Sequence, residues 1–135
     1  MDHVAIMNPK LKLINKILSG EKKIESRWLK NKSAPWGKVK AGDRVYFKDS
    51  GGPVRVAAEV EKVMQFEKTD FGEAKKLFKD ADSWSKGKNY CVLVFLRRPE
   101  QVKPFGINKF GFGSAAAWLC VEDINSIKVP QSRSL

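Results

Sequence analysis

Between the first stretch of helical periodicity and the first tryptophan, the chain reads Gly20-Glu21-Lys22-Lys23-Ile24-Glu25-Ser26-Arg27. Three of these side chains are placed to do chemistry together. If the segment from Lys23 runs extended, period-two alternation puts Glu25 and Arg27 on one face, with Lys22 displaced toward the helix end. A carboxylate between two cations orients both through charge-assisted hydrogen bonds. Two uses follow. The trio could line a cleft beside the first helix, where Lys22 and Arg27 meet phosphate or base acceptors and Glu25 positions a polar group. Alternatively, Glu25 and Arg27 form an ion pair that closes a barrel, and Lys22 is simply exposed.

Read as Gly-x-Lys-x-x-Glu-x-Arg, the segment resembles the signature of ASCH domains, which belong to the PUA-like superfamily of small RNA-associated β-barrels. Other features fall in the matching order: a strand, a helix, this motif, a Gly42-Asp43 turn, and a hairpin from Val45 to Phe66. The resemblance covers roughly the whole chain. It implies an α+β fold, a small mixed PUA-like β-barrel flanked by about two helices, occupying residues 1–130 with a flexible tail at 131–135. It also favours the cleft, with Asn8, Lys22, Glu25, Arg27 and Lys48 around it, and binding of RNA or a nucleotide-like ligand as the function.

The same resemblance raises an enzyme as the alternative. Some small ASCH proteins are amidohydrolases acting on an acylated cytidine, and nuclease activity has been associated with others. The amidohydrolase pattern resembles Gly-x-Lys-x-x-Thr-x-Arg, with a further Glu supplied from a later helix. Lys22 matches the Lys, Glu25 stands where the Thr would be, and Glu73 is the candidate for the later acid. A deprotonated Thr hydroxyl is a nucleophile, whereas a Glu carboxylate would have to activate a water as general base. That departure puts binding ahead of catalysis. An enzyme of this kind would be a metal-independent hydrolase of a modified nucleoside or RNA, with Lys22 and Glu25 carrying the proton transfers.

Charge points to the same partner class. The 135 residues hold 26 Lys plus Arg against 15 Asp plus Glu, a formal net charge of +11. Such an excess attracts polyanions, because cations that neutralise phosphates release the counterions condensed on them. RNA leads, DNA also fits, and an acidic protein partner or a surface kept basic for solubility are the alternatives. Trp28, Trp36 and Trp84 lie among Lys, Ser and Gly in loop-like sequence, which suits either a stacking platform for unpaired bases or caps on the core. Lys48 and Ser50, at a hairpin turn, would reach a ligand at the barrel mouth. Lys103, Lys109 and Phe110-Gly111-Phe112-Gly113 add a basic loop without the lysine and hydroxyl of a nucleotide-binding P-loop. His3 has no evident partner. Cys91 and Cys120 sit inside apolar segments, as reduced, buried thiols do, and one His with two Cys gives no zinc pattern. No cofactor is implied. No run approaches the roughly 18 apolar residues of a membrane span, and the start of the chain lacks the pattern of a signal peptide, so a cytoplasmic setting is expected.

The elements that must position these residues are legible in outline. His3 to Met7 reads as a strand, and Asn8-Pro9 as a helix start. Leu11, Leu13, Ile14, Ile17 and Leu18 recur at helical spacing until Gly20 ends the helix. Lys23 to Trp28 runs extended. Asp49-Ser50-Gly51-Gly52 turns a hairpin between Arg44–Lys48 and a strand continuing from Val54 to Phe66. Phe71 to Phe78 is a short amphipathic helix with Phe71, Ala74, Leu77 and Phe78 on its apolar side. Tyr90 to Leu96 is dense enough in β-formers for a central strand, which Pro99 is expected to stop. Val102 to Phe105 forms a further short strand, and Ala115 to Val129 holds the last one.

Overall fold

The computed structural model describes residues 1–78, 81–113 and 115–129. The expected tail at 131–135 lies outside the described residues. Among the described residues there are seven strands and three short helices: β1 (Asp2–Met7), α1 (Leu13–Ser19), β2 (Ile24–Leu29), β3 (Arg44–Asp49), β4 (Val54–Glu67), α2 (Phe71–Leu77), α3 (Ala81–Trp84), β5 (Tyr90–Ile107), β6 (Trp118–Val121) and β7 (Lys128–Val129). The sheet runs β2-β5-β4-β3-β1-β6, with β7 added on β5. β1 and β3 are parallel, and the other pairs are antiparallel. This is a small α+β fold, a curled, partly open barrel of mixed strands flanked by short helices.

The curl has an inner and an outer apolar face because successive strand residues point to opposite sides. Ala5, Val45, Phe47, Val56, Val92 and Val94 meet inside, where Ile14 and Ile17 of α1 plug the opening. Val4, Val54, Phe105 and Leu119 pack on the other side. A third cluster forms under α2, where Phe71 and Ala74 cover Trp28, Phe66, Cys91 and Leu93. The helix departs from its expected face at the end. Phe78 leaves helical geometry at φ −132° and ψ 111° and packs against this third cluster, which turns Leu77 outward to 43% exposure.

Two local features differ from the sequence expectation for physical reasons. Asn8 caps only a 3-10 turn, Pro9–Leu11, through Oδ1 accepting the Lys10 N–H at 3.0 Å; α1 starts after Lys12, held left-handed at φ 53°. Pro99, in turn, does not stop the strand. β5 passes through it because Arg98 and Pro99 stand together against Ala58, between the pairs Arg97–Glu59 and Glu100–Ala57. At such a bulge one residue is left out of the ladder, so a missing N–H costs nothing. Glu59 ties down both sides, accepting from Arg97 at 2.9 Å and Arg98 at 2.7 Å, and these two bonds hold its carboxyl down to about 2.

His3 does have partners, brought from distant parts of the chain. The Trp118 indole N–H donates to His3 Nδ1 at 3.1 Å, so the ring proton sits on Nε2, which donates to Asp43 at 2.8 Å. Asp43 also accepts the Lys40 N–H at 3.0 Å. Burial holds the fully enclosed His3 below the ordinary histidine range, against the pull of Asp43. For Asp43 burial pushes upward, but the bonds from His3 and Lys40 outweigh it and the net shift is down. Among the described residues, no helix is long and apolar enough to cross a membrane.

Candidate functional site

α1 ends where it must for the Lys22 segment to face the first strand. Gly20 takes φ 84°, its N–H bonds Ile17 O, and the Lys22 N–H returns to Lys16 O at 2.9 Å. This left-handed cap, which glycine adopts without strain, reverses the chain and starts β2 four residues later. β2 is the first strand of the sheet path and β6 the last, so the two edges of the curl face each other across a seam.

Arg27 bridges that seam. Its guanidinium donates to Ile6 O of β1 at 3.3 Å and to Ala117 O, just before β6, at 3.2 Å. It also donates to Glu25 at 2.9 Å, and its Cζ lies 5.2 Å from the Trp118 ring centre. On the other side of Glu25, Lys22 Nζ lies 3.4 Å from Oε1 and donates to Ile24 O at 2.7 Å. The Glu25 side chain is only 5% exposed, against 13% for Lys22 and 15% for Arg27. Glu25 and Arg27 thus form the ion pair expected where the barrel closes, whereas Lys22 is not simply exposed, and all three side chains line a cavity of about 330 Å³.

The cavity walls come from three directions. Ile6, Met7 and Asn8 line one side, the Lys22–Trp28 segment the floor, and Phe78, Trp84 and Lys88 the far side. Phe78 lies under Lys22 at 5.4 Å, and Trp84 stands 47% exposed at the edge. Trp28 contributes wall but no free face: it is 8% exposed, edge-on to Phe71 at 5.0 Å, with its indole N–H on Ser26 Oγ.

Of the sequence candidates, the fold gathers Asn8, Lys22, Glu25, Arg27 and Trp28 around this cavity. Trp36 is elsewhere, half-buried against Tyr90 at 5.0 Å with Lys32 above both rings. Glu73 is also outside, on the exposed side of α2, where it pairs with Lys76 at 3.4 Å. Ser50 lines a second, adjoining cavity, and Lys48 is buried on β3. Two further lining residues, Phe78 and Lys88, carry no site signal in the sequence. Phe78 looks like helix core in sequence, and nothing distinguishes Lys88 from the other loop lysines until α3 folds back over β2.

No protein-family profile and no curated protein matches this sequence. Solved structures do. ASCH from Zymomonas mobilis matches with a TM-score of 0.63 at 14% identity, covering 96% of each chain. A serine-to-alanine mutant of that protein matches at 0.65 and 14%, covering 93% of this chain and 91% of the other. A tyrosine-to-phenylalanine mutant matches at 0.62 and 15%, covering 93% of each. Over more than nine-tenths of its length the chain therefore shares the fold of these ASCH structures.

Proposed function

We propose that the cleft binds an unpaired base of RNA, or a nucleotide-like ligand, between the Trp84 edge and the charged floor. The observation that carries this reading is the pairing of an exposed indole with a nearly buried Lys22–Glu25–Arg27 set in one cavity. Stacking on an aromatic face is tolerant of base identity, while amine and carboxylate groups below supply donor and acceptor for a base edge. Within the floor the roles divide. Arg27 already has four acceptors, Ile6 O, Ala117 O, Met7 Sδ and Glu25, so it positions Glu25 rather than reaching for the ligand. Lys22 and the Asn8 side-chain amide are the groups that meet phosphate or base oxygens.

The test is binding of a labelled single-stranded RNA octamer by fluorescence anisotropy. Trp84→Ala is expected to weaken binding about tenfold, in line with the roughly 1–3 kcal/mol measured for base–aromatic stacking. Trp36→Ala should leave affinity within about twofold. Equal losses in the two variants, or none in either, would sink the reading.

The Lys22–Glu25 contact favours one second reading, hydrolysis of a modified nucleoside or RNA. Lys22 would hold the substrate while Glu25 draws a proton from water. Glu73 has no part in it, being outside the cavity. Turnover of N4-acetylcytidine or RNA that disappears in Glu25→Gln is the expected sign, and absence of turnover by the folded wild-type chain would remove this reading.

A further inference from the structure

We propose that the cavity adjoining the cleft, between Asn8, Lys10, Ser50 and Lys109, is a phosphate subsite for the phosphodiester of an RNA strand whose base occupies the cleft. This inference rests on the RNA reading of the cleft and narrows it, from a nucleoside to a nucleotide within a chain. The two cavities share Ile6, Met7 and Asn8, so they are continuous over the end of β1. The second is larger, about 550 Å³. Its charged lining residues are Lys10 and Lys109, the latter donating to Ala116 O at 3.4 Å, and among the described residues no Asp or Glu lines it. The nearest acid along the chain, Asp49, faces Arg55 at 3.8 Å instead.

Lys48 does not itself line this cavity but stands behind it, paired in register with Ile6, which does. It is 9% exposed, yet no hydrogen bond or carboxylate partner is found for it among the described residues. Burial, together with the nearby charge of Lys109, holds it below the ordinary lysine range. A desolvated ammonium beside a second ammonium is unfavourable in the free protein, and an arriving anion would offset that penalty for both. Ser50 and Asn8 add a hydroxyl and an amide at the rim, groups that commonly contact phosphate oxygens. A free nucleoside held in the cleft would leave Lys10, Ser50 and Lys109 unused.

The experiment measures affinity for the same RNA octamer as a function of KCl concentration in wild-type, Lys48→Met, Lys109→Ala and Trp84→Ala proteins, each checked for folding by thermal melting. On single strands each neutralised phosphate contributes about 0.7 to the slope of log K against log salt. Lys109→Ala should flatten that slope by about this amount and weaken binding several-fold at low salt, and Lys48→Met, which removes a charge behind the cavity, should flatten it to a smaller extent. Trp84→Ala should lose affinity with its slope unchanged. Lys48→Met should melt no lower than wild type, since it removes a buried unpaired charge; if it fails to fold, Lys109→Ala carries the test. RNA binding that depends on Trp84, with unaltered slopes in the folded lysine variants, overturns the subsite and leaves the cleft reading standing. No RNA binding by the wild-type protein overturns both.

Discussion

Arg27, largely buried, and His3, wholly so, show how differently two polar side chains can be used inside a fold. Arg27 joins β2 to Ile6 O and Ala117 O across the seam while it holds Glu25. Arg27→Met would strand two carbonyls and leave a carboxylate at 5% exposure with Lys22 alone, so a loss of about 3 kcal/mol in urea unfolding is expected. The RNA affinity of whatever remains folded should fall as well, because Glu25 loses its orientation. His3 answers to pH. Its folded pKa is lowered from 6.5, so on acidification the unfolded chain takes up the proton first. The stabilisation is thus complete above about pH 6.5 and declines as pH falls toward the lower folded value. Asp43, lowered from 3.8, adds a loss of the same sign at still lower pH. The melting temperature should therefore drop between pH 7.5 and 5, and His3→Gln should flatten that drop; a steeper decline in the variant would count against the network. The pairing of Arg27 with Glu25 at the barrel closure is one of the two uses their spacing suggests; the role of His3 is not legible in sequence, because it meets partners 40 and 115 residues away and an isolated histidine in an apolar run says nothing of them.

At the scale of elements, local chemistry was readable where it is decided locally. The Gly20 cap, the Gly42-Asp43 turn and the hairpin around Ser50–Gly52 follow from residues that tolerate or require those backbone angles. Pro99 misled because its cost depends on whether a partner strand asks for its N–H, and only the register of β4 against β5 reveals that none does. Lys12 carries a testable version of the same point. It sits at φ 53° with no capping hydrogen bond from its side chain, a conformation unfavourable to any residue with a Cβ. Lys12→Gly should stabilise the fold by about 0.5 kcal/mol once the flexibility of glycine in the unfolded chain is counted, and Lys12→Val should destabilise it. Chemical denaturation of the two variants separates these directions.

Over the whole molecule, a net charge of +11 sets the expectation that any RNA binding weakens steeply between 50 and 200 mM salt, whichever residues make specific contacts. Binding insensitive to salt would place the affinity in apolar contacts and make the basic surface incidental. The candidate site was half visible at this scale. The spacing of Lys22, Glu25 and Arg27 identified its floor, but the three tryptophans could be sorted only once α2 and α3 were seen to fold over β2, which buries Trp28 and leaves Trp84 at the edge. The seam has a further consequence. One guanidinium spans the two sheet edges, so the reach of an arginine acts as a gauge block that fixes the spacing of the floor. Phe78 and Trp84 stand on the opposite wall. Discrimination between a small and a large base in the proposed cleft would then be mechanical in origin, set by a floor whose width a single side chain holds.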